Sequence, residues 1–569
     1  MYHRRQITKA EQLTIKIGKL IDQVRNNTFD KINANNSQKL WKTIKKATAS
    51  SNHSNGNLLD SLKIDYNQLN SYFVDVATDA DYDPIETANM VQTASGRCNQ
   101  DTVDNLTDYD IFSLLKSIKK TSSGPDEIPY WVFRECAIEL TPVVNHIVNL
   151  SIGQGVVPSA WKKAYVTPVP KFTKTTDFKD YSGIRPISVT PILCRMVEKI
   201  IVRKYLWPKL DDPQMQDQFA FRPSGSTTAA LVYILHHVHT MFENGNEYVR
   251  CLLIDYSKAF DTVNHKILLT ELEKIGLRQS IFKWIADFLA NRTQAVKVNG
   301  IITGFLPITR SIVQGSGLGP YLYITLARTL KTKSACNIMP KYADDTTLLV
   351  PQNSDCTLED EFENVKKWSH DNKLTINKSK TKEIIFWKNG RVNNKCTIPL
   401  IPCIERVDQT KLLGVILTTR LSWSAHIDCL IKQITQRFYL LNQLKRMSLG
   451  IKGLTTVFRA LVVSRILYAL PSYSGFLLQS DKDRIDALFR KATRWGIADN
   501  LDDFESLSLG ADHNLFRKMN APSHCLYQLL PEHKTYKIYN IRPNTKKKFK
   551  VPLIRHSGLK NSFIYKMIA

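Results

Sequence analysis

Several common features are missing from this 569-residue sequence, and their absence narrows its class. The start, residues 1–13, has no apolar run that would serve as a secretory signal peptide. The ten cysteines form no Cys-x-x-Cys pair and have no nearby histidine at zinc-knuckle spacing, which favours reduced thiols over a zinc site. The most apolar segment, Ala460–Leu478, contains Arg465 and Pro471 and predicts a core helix followed by a break. We therefore expect an intracellular protein, nuclear or cytoplasmic, without a transmembrane segment.

Acidic residues are few beside basic ones, since 52 Asp and Glu against 78 Lys and Arg leave a net charge of +26. This surplus favours a polyanionic partner, because basic surfaces gain affinity by releasing the counterions of phosphate backbones. An anionic membrane is the competing partner, but it would require a basic amphipathic helix with a strong apolar face at a terminus, and none is evident. With 43% hydrophobic and 23% charged residues, the chain predicts about two to four globular domains.

Hydrophobic periodicity predicts helices that alternate with a few strands, an α+β arrangement without an internal repeat. Amphipathic spacing predicts helices around Leu13–Val24, over Tyr66–Val76 and over Thr227–Phe242. Three segments give less regular expectations: an edge strand with prolines at 166–171, a basic helix after Pro186 that ends near residue 206, and one strand at 411–417. Two further helices are expected over Ser257–Ile275, closed by Gly276, and beyond Ser424.

Three acidic residues carry most of the functional information. Asp255 ends the apolar run Tyr248–Ile254, and Asp344 and Asp345 form a tight turn between two apolar runs. A carboxylate at the end of a buried strand is costly unless a cation meets it. Three such carboxylates from separate strands form the hard oxygen site that Mg²⁺ prefers, and two ions about 3.5–4 Å apart clamp an in-line phosphoryl transfer. The chemistry predicted is nucleotidyl transfer.

An Asp-Asp pair alone is weak evidence, and the chain contains its own control. Two other pairs, Asp211-Asp212 and Asp502-Asp503, lie in polar surroundings that are typical of solvated loops. Only Asp344-Asp345 is bracketed by Tyr342-Ala343 and an apolar strand. A polar hairpin turn remains the alternative interpretation of that pair taken by itself.

Eight motifs occur in the order found in reverse transcriptases. They are SSGPDEIP (122–129), PVPK with IRPIS (168–188), DQFAFRPSGSTTAAL (217–231), DYSKAFDTVNH (255–265), IVQGSGLGP (312–320), YADD (342–345), NKSKT (377–381) and KLLGV (411–415). The chain thus resembles a non-LTR retrotransposon (LINE-type) reverse transcriptase of the jockey-like kind over about residues 106–500. The resemblance implies a right-hand polymerase fold of fingers, palm and thumb.

The resemblance also implies roles for single residues. Asp255, Asp344 and Asp345, with the backbone carbonyl of Tyr256, would bind two Mg²⁺ ions, for which Mn²⁺ is a substitute. Lys380 would protonate the leaving pyrophosphate, although Lys378 and Lys382 lie near it. The nucleotide-binding residues would be two cations, a sugar-sensing aromatic ring and the Gly-rich loop: Lys171, Arg185, Phe260, Gln314 and Gly315.

Phe260 and the cations have plainer alternatives. Phe260 matches the gate under the sugar that excludes ribonucleotides, or it is a core aromatic on a helix face with Val263 and Ile267. Lys171 and Arg185 would otherwise be surface charges. In the expected thumb, four cations would follow a duplex backbone: Lys432, Arg437, Lys445 and Arg446. Trp423 and His426 resemble the primer-grip region and are expected to be structural.

The domain expectations follow from the same comparison of motifs. Residues 1–105 would be an N-terminal helical extension or linker, 106–418 the fingers and palm with a core at about 150–418, and 419–505 a helical thumb. Residues 506–569 would be a basic C-terminal tail that contains Lys546-Lys547-Lys548. Two departures affect the expected site: Ser182-Gly183-Ile184 separates Tyr181 from Arg185, and Gly317 replaces an apolar residue. Neither removes a carboxylate.

The leading interpretation is an RNA-directed DNA polymerase that uses dNTPs, an RNA template and a DNA primer. An endonuclease domain or protein is expected as a partner, because the first 105 residues carry no acidic or His cluster of that kind. The alternatives are a catalytically inactive, retroelement-derived nucleic-acid-binding protein and a group II intron maturase-like protein. The three carboxylates argue against the first, and the tail, which lacks a maturase-like or Cys-rich domain, argues against the second.

Overall fold

The structure, a computed structural model, describes residue 41 and residues 59–172, 175–210, 215–388, 398–533 and 549–568. The helix expected around Leu13–Val24, the Asp211-Asp212 pair and Lys546-Lys547-Lys548 lie outside these residues. Within them, the α-helices of six or more residues are α1 (Tyr66–Val76), α2 (Pro84–Arg97), α3 (Asp108–Lys116), α4 (Tyr130–Glu135), α5 (Ala137–Gln154), α6 (Ile192–Ile200), α7 (Thr227–Glu243), α8 (His265–Glu273), α9 (Gln279–Leu289), α10 (Gly319–Ala327), α11 (Leu358–Asp371), α12 (Ser424–Arg446), α13 (Ile451–Phe458), α14 (Gln479–Arg494), α15 (Phe504–Met519) and α16 (Phe563–Ile568).

The strands form two sheets and a separate hairpin. In chain order they are β1 (Lys163–Pro170), β2 (Ile184–Val189), β3 (Tyr248–Ile254), β4 (Arg292–Val298), β5 (Ile301–Ile302), β6 (Leu306–Ile308), β7 (Lys341–Tyr342), β8 (Asp345–Pro351), β9 (Lys382–Trp387), β10 (Glu405–Arg406), β11 (Gln409–Leu412) and β12 (Val415–Thr418). The first sheet has the order β2-β1-β4-β5, with β6 also on β4, and the second has the order β10-β9-β3-β8-β7. The fold is thus a mixture of helices and sheets, as the sequence predicts.

Strand β3 lies at the centre of the second sheet, and its side chains alternate between two cores. Leu252 and Ile254 belong to a core that contains helices α8, α9 and α10. Val249 and Cys251 belong to a second core, which contains α7 and α12. Because successive side chains of a strand point to opposite faces, a strand with helices on both faces must be apolar at nearly every position. This explains the apolar run that ends at Asp255.

Both ends of the described chain pack onto the body of the protein. In α1, Leu69 and Phe73 are buried in a cluster with Val166 and Val296 of the first sheet. The C-terminal helix α16 contributes Ile564 to a cluster with α7. Helix α15 begins at Phe504 and therefore continues past residue 505, where the sequence predicts the end of a helical thumb.

Two helix predictions are wrong in extent. Residues 184–189 form strand β2 rather than the start of a helix, and the helix begins only after Pro191, which occupies its N-cap. The helix expected from Ser257 begins instead at His265, because Asn264 caps it by accepting a hydrogen bond from the Ile267 amide. Residues 257–262 are turns, so Phe260 does not lie on a helix.

Two strand predictions also need correction. Strand β1 is internal, between β2 and β4, and not an edge. Its pairing with β4 ends at Val166, so Pro168 and Pro170 lie where only β2 is paired, and their missing amide donors leave no gap. The strand expected at 411–417 is the hairpin β11–β12, because Leu413 and Gly414 both adopt positive φ and reverse the chain.

The run Ile451–Phe476 is the helix in the described residues that is long and apolar enough to cross a membrane by length and composition. However, 56% of its most apolar window is buried within the protein, as expected for a core helix. The chain leaves the helical conformation at Tyr468 and Ala469. This agrees with the predicted core helix followed by a break.

The docking of α16 onto α7 predicts an acid-sensitive stability. The His236 ring of α7 is buried and stacks on Tyr565 of α16 with ring centroids 5.8 Å apart. Burial, followed by the charge of His237, lowers the pKa of His236 to about 3. The unfolded chain binds a proton at this histidine below about pH 6.5, whereas the folded chain does so only near pH 3. The free energy of unfolding should therefore decrease as the pH falls from about 6.5.

We expect His236→Phe to make this decrease shallower by on the order of 1 kcal/mol per pH unit, since it removes one such group and keeps a ring. Urea denaturation between about pH 7 and pH 5 measures the slope. The control is His370→Gln, because the His370 side chain is 92% exposed. Equal slopes in His236→Phe and the wild type would contradict the prediction.

Candidate active site

The register of the second sheet brings the three acidic residues to one edge. Strand β3 pairs antiparallel with β8 so that Ile254 lies opposite Thr346. Asp255 directly follows the end of β3, and Asp345 is the first residue of β8. The pairing thus places Asp255 beside Asp344-Asp345, although about ninety residues separate them in sequence.

The turn itself is one residue earlier than the sequence predicts. Tyr342 pairs with Asp345, so Ala343 and Asp344 are the two turn residues and Asp345 belongs to the strand. Ala343 has a φ of 59°, a left-handed conformation that is unfavourable for a residue with a side chain. The chain keeps this conformation because neighbouring groups hold the turn.

The groups that hold the Ala343 turn are Gln218 and Lys341, and the sequence predicts no role for either. The Gln218 side-chain oxygen accepts hydrogen bonds from the amides of Phe219 and Ala220 and, at 3.1 Å, from the amide of Ala343. The Lys341 side chain is 1% exposed. Its amine donates to the Asp217 carboxylate, to the carbonyl of Ala327 at the end of α10 and to the carbonyl of Leu330 just beyond it. An ion pair this deeply buried requires hydrogen bonds to satisfy its charges. One feature of the sequence could have indicated this support: Lys341 is a charged residue within an otherwise apolar run.

The three carboxylates lie within each other's electrostatic field. Burial and then the negative charges of Asp344 and Asp255 raise the pKa of Asp345 to about 6. Burial raises the pKa of Asp344 as well, and Asp255 adds to this effect, whereas the positive charge of Arg185 opposes it. Like charges held together in this way are stabilised by a cation.

The donor set fits a divalent metal ion with a hard oxygen preference. Carboxylate oxygens and a backbone carbonyl such as that of Tyr256 are the ligands that Mg²⁺ takes, and its remaining positions are filled by water and substrate phosphates. Across the described ranges, no three Asp, Glu, His or Cys side chains converge closely enough to form a metal site by themselves. A metal ion at these carboxylates and the carbonyl would therefore take its remaining ligands from substrate and water.

A cavity of about 750 Å³ opens beside the carboxylates. It brings together most of the site residues that the sequence predicts: Asp255, Tyr256, Asp344, Lys171, Arg185, Phe260, Gln314, Gly315 and Lys380. Asp345 does not line it and instead faces Tyr342 and the hairpin residues Leu412 and Leu413.

The Gly-rich loop crosses strand β2 at close range. The Ser188 amide donates to the Gln314 carbonyl at 2.7 Å. Gly315 has a φ of 109°, and a Cβ there would lie 2.4 Å from the Ser188 carbonyl oxygen. The Gln314 side chain donates to Asp261 at 2.7 Å, and burial raises the pKa of Asp261 to about 6. Gln314 is thus positioned by its contacts with Asp261 and β2.

Phe260 is half-buried and has two kinds of contact. Its ring lines the cavity and stacks on Tyr323, with centroids 4.6 Å apart and planes 16° apart. Its carbonyl accepts a hydrogen bond from Ile312 at 2.8 Å. The geometry therefore accommodates both the sugar gate and the packing role that the sequence allows.

Three predicted cations line the same cavity as Asp255 and Asp344. The Lys380 amine lies 4.0 Å from Asp255. Lys171 donates to the Ser182 carbonyl at 3.0 Å, and Arg185 of β2 pairs with Val169 of β1. Burial, followed by the positive charges of Lys380 and Arg185, lowers the pKa of Lys171. Although Ser182-Gly183-Ile184 departs from the expected pattern, it still returns Arg185 to the cavity.

The four cations predicted for a duplex backbone all lie on α12 but do not share one face. Lys432 and Arg446 are exposed and, fourteen residues apart, lie on the same side of the helix. Lys445 points elsewhere and donates to the Trp495 carbonyl at 2.5 Å, and Arg437 is half-buried. Trp423 and His426 are buried against Tyr473, as expected for structural residues.

Comparison with known proteins shows which family the residues of this site are similar to. Residues 170–417 match the family described as "Reverse transcriptase (RNA-dependent DNA polymerase)". The chain is similar to the "RNA-directed DNA polymerase from mobile element jockey" of Drosophila melanogaster, with 26% identity over 66% of this chain and 42% of that protein. It is also similar to the "Probable RNA-directed DNA polymerase from transposon X-element" of the same species, with 25% identity over 63% of this chain and 40% of that one.

A more distant similarity joins the chain to the "Retrovirus-related Pol polyprotein from type-1 retrotransposable element R2" of Popillia japonica, with 24% identity over 53% of this chain and 43% of that one. The chain spans less than half the length of these curated relatives. The matched residues contain the carboxylates and every cavity residue that the sequence predicts.

The close crossing at Gly315 gives a prediction for stability. We expect Gly315→Ala to lower the free energy of unfolding by about 1–3 kcal/mol, because the new methyl group would meet the Ser188 carbonyl and the backbone would be strained. Gly304→Ala is the matched control, since a Cβ there has nothing within 4 Å. Urea denaturation of both variants measures the difference. A Gly315→Ala variant as stable as Gly304→Ala would show that the loop does not hold this conformation.

Proposed function

We infer that this chain, whose residues 170–417 form a reverse transcriptase domain of the non-LTR retrotransposon type, is an RNA-directed DNA polymerase. It would extend a DNA 3′-end on an RNA template with dNTPs as substrates. One observation carries the proposal: the β3–β8 register brings Asp255 beside Asp344, and both line a cavity that Lys171, Arg185 and Lys380 also line.

Asp255, Asp344 and Asp345, with the Tyr256 carbonyl, would hold two Mg²⁺ ions. When bound, these ions supply the charge that activates the primer 3′-hydroxyl and neutralises the triphosphate. Lys171 and Arg185 would bind the phosphates as direct cationic partners. Lys380 would give a proton to the leaving pyrophosphate, and the 4.0 Å distance between its amine and Asp255 supports this role.

The remaining parts of the right hand follow from the same proposal. The first sheet and its helices would be the fingers, the second sheet the palm, and the helices from α12 onward the thumb. Leu413 of the β11–β12 turn lines a small cavity together with Tyr342 and Asp345, which suits contact with a primer end. The exposed Lys432 and Arg446 would follow the duplex backbone, while Arg437 and Lys445 are less suited to this role because they are half-buried or engaged within the protein.

Primer extension on poly(rA)·oligo(dT) tests the proposal. We expect Asp344→Asn to lower turnover by at least about a hundredfold, because it removes charge from the metal site without removing volume. Asp502→Asn, in the exposed Asp-Asp pair, is the control and should retain activity. Turnover of Asp344→Asn within about tenfold of wild type would refute the two-metal assignment. A wild-type chain that binds the duplex but never extends it would favour the inactive nucleic-acid-binding alternative.

Sugar selection tests the proposed role of Phe260. If the ring lies under C2′ of the nucleotide, Phe260→Ala should admit ribonucleotides, with discrimination falling by at least about tenfold. A purely packing role predicts instead a stability loss of about 3–5 kcal/mol with unchanged discrimination. The control is Phe282→Ala, which removes a fully buried ring outside the cavity. Competition between rNTP and dNTP, together with melting temperatures, separates the two roles.

A further inference from the structure

Lys258 lies in the turn between Asp255 and α8 and has an unusual backbone. Its φ is 52°, in the left-handed region that side-chain-bearing residues rarely adopt. Its carbonyl accepts hydrogen bonds from the amides of Asp261 at 2.9 Å and Thr262 at 3.1 Å, which close the turn. A conformation of this kind is unfavourable and persists where the surroundings require it. Here it directs a lysine towards the cavity, which Lys258 lines.

Tyr72 of α1 holds this lysine by two contacts. The Lys258 amine donates to the Tyr72 hydroxyl at 2.6 Å and lies 4.4 Å from the centre of the Tyr72 ring. No ion pair among the described residues includes Lys258, and its charge acts on Asp261 of the same cavity, whose side chain is hydrogen-bonded to Gln314. A phenol and a ring face position an ammonium group without cancelling its charge.

Helix α1 is itself firmly placed, although the sequence assigns it to an N-terminal extension. Leu69 and Phe73 are buried against the first sheet. The Asn70 side chain donates to the Gly304 carbonyl at 3.0 Å, and Arg310 donates to the Val76 carbonyl at 2.8 Å. Tyr72 therefore lies on a fixed helix whose exposed side forms one wall of the cavity.

Lys258 adds a fourth cation to the cavity, beside Lys171, Arg185 and Lys380. A nucleoside triphosphate carries several negative charges on a short chain, and each is bound best by a cation that approaches from a different direction. Lys171 and Arg185 come from the first sheet, whereas Lys258 comes from the turn after Asp255 and is held by α1.

We propose that Lys258 binds the phosphates of the incoming nucleotide and that Tyr72 is its positioning residue, so that α1 is part of the nucleotide site. This inference rests on the proposed polymerase function for its physiological ligand.

Two measurements test it: steady-state primer extension, and equilibrium binding of a fluorescent deoxynucleoside triphosphate with Mg²⁺, in competition with inorganic triphosphate. Lys258→Gln should raise both KM for dNTP and Kd for inorganic triphosphate by about tenfold, while kcat changes by less than about threefold. Tyr72→Phe, which removes only the hydroxyl, should raise KM by a smaller factor. The double variant should be no worse than Lys258→Gln, because Tyr72 acts through the lysine.

Two further variants keep the outcome interpretable. Lys258→Arg retains the charge and should bind triphosphate within a few-fold of wild type even if Lys258→Gln folds poorly. Lys266→Gln is the matched control, since Lys266 is a nearby exposed lysine whose partner is Glu86 of α2.

Unchanged triphosphate binding in a folded Lys258→Gln variant would overturn the assignment. Weakened binding of primer–template with unchanged KM for dNTP would overturn it too, because the lysine would then contact nucleic acid. A wild-type chain that binds triphosphate through Lys258 but does not extend a primer would refute only the polymerase proposal. A wild-type chain that binds no triphosphate would refute the assignment itself.

Discussion

The pairing of β3 with β8 is the interaction on which the rest of the structure depends. It joins segments that are far apart in sequence, and its register decides whether Asp255 meets Asp344. A shift of one residue would turn every side chain of β3 to the opposite face. Since those side chains fill two different cores, Leu252 and Ile254 on one side and Val249 and Cys251 on the other, the cores fix the register. The same apolar packing that stabilises the sheet therefore positions the acidic residues.

Bringing carboxylates together opposes folding because their negative charges repel, and neighbouring residues offset part of this repulsion. The raised pKa values of Asp344 and Asp345 record the unfavourable charge, and the positive charge of Arg185 offsets part of it at Asp344. The Lys380 amine lies 4.0 Å from Asp255. The strained Ala343 turn is held from behind by Gln218. Support of this kind keeps the acidic residues in place without a bound partner, which is what the proposed metal site would require.

The sequence was most informative where a periodic apolar pattern and a local signal agreed. Helix α1 has the predicted bounds, and β3 ends where the apolar run meets Asp255. It was least informative where tertiary contacts decide: residues 184–189 carry a helix-like apolar spacing but pair with β1, because Pro186 and Pro191 both disfavour a continuous helix. Likewise, Asn264 was a readable N-cap, and its capping preference starts the helix at His265 rather than at Ser257. The cavity residues were found by motif, whereas Gln218 and Lys258 have roles that only their contacts reveal.

The position of α1 shows that a domain boundary predicted from composition need not coincide with the limit of a functional site. Residues before 105 are polar, which suggests an appendage, yet a polar helix needs only one apolar stripe to dock. In α1, Leu69 and Phe73 supply this stripe. Tyr72 of the same helix supplies a polar group, its hydroxyl, which accepts a hydrogen bond from Lys258. Because a helix offers both faces within four residues, a short segment can pack on the first sheet and still reach Lys258. The sequence pattern sets a domain boundary at residue 105, yet residues from before it, such as Tyr72, and from after it, such as Lys258, line the same cavity.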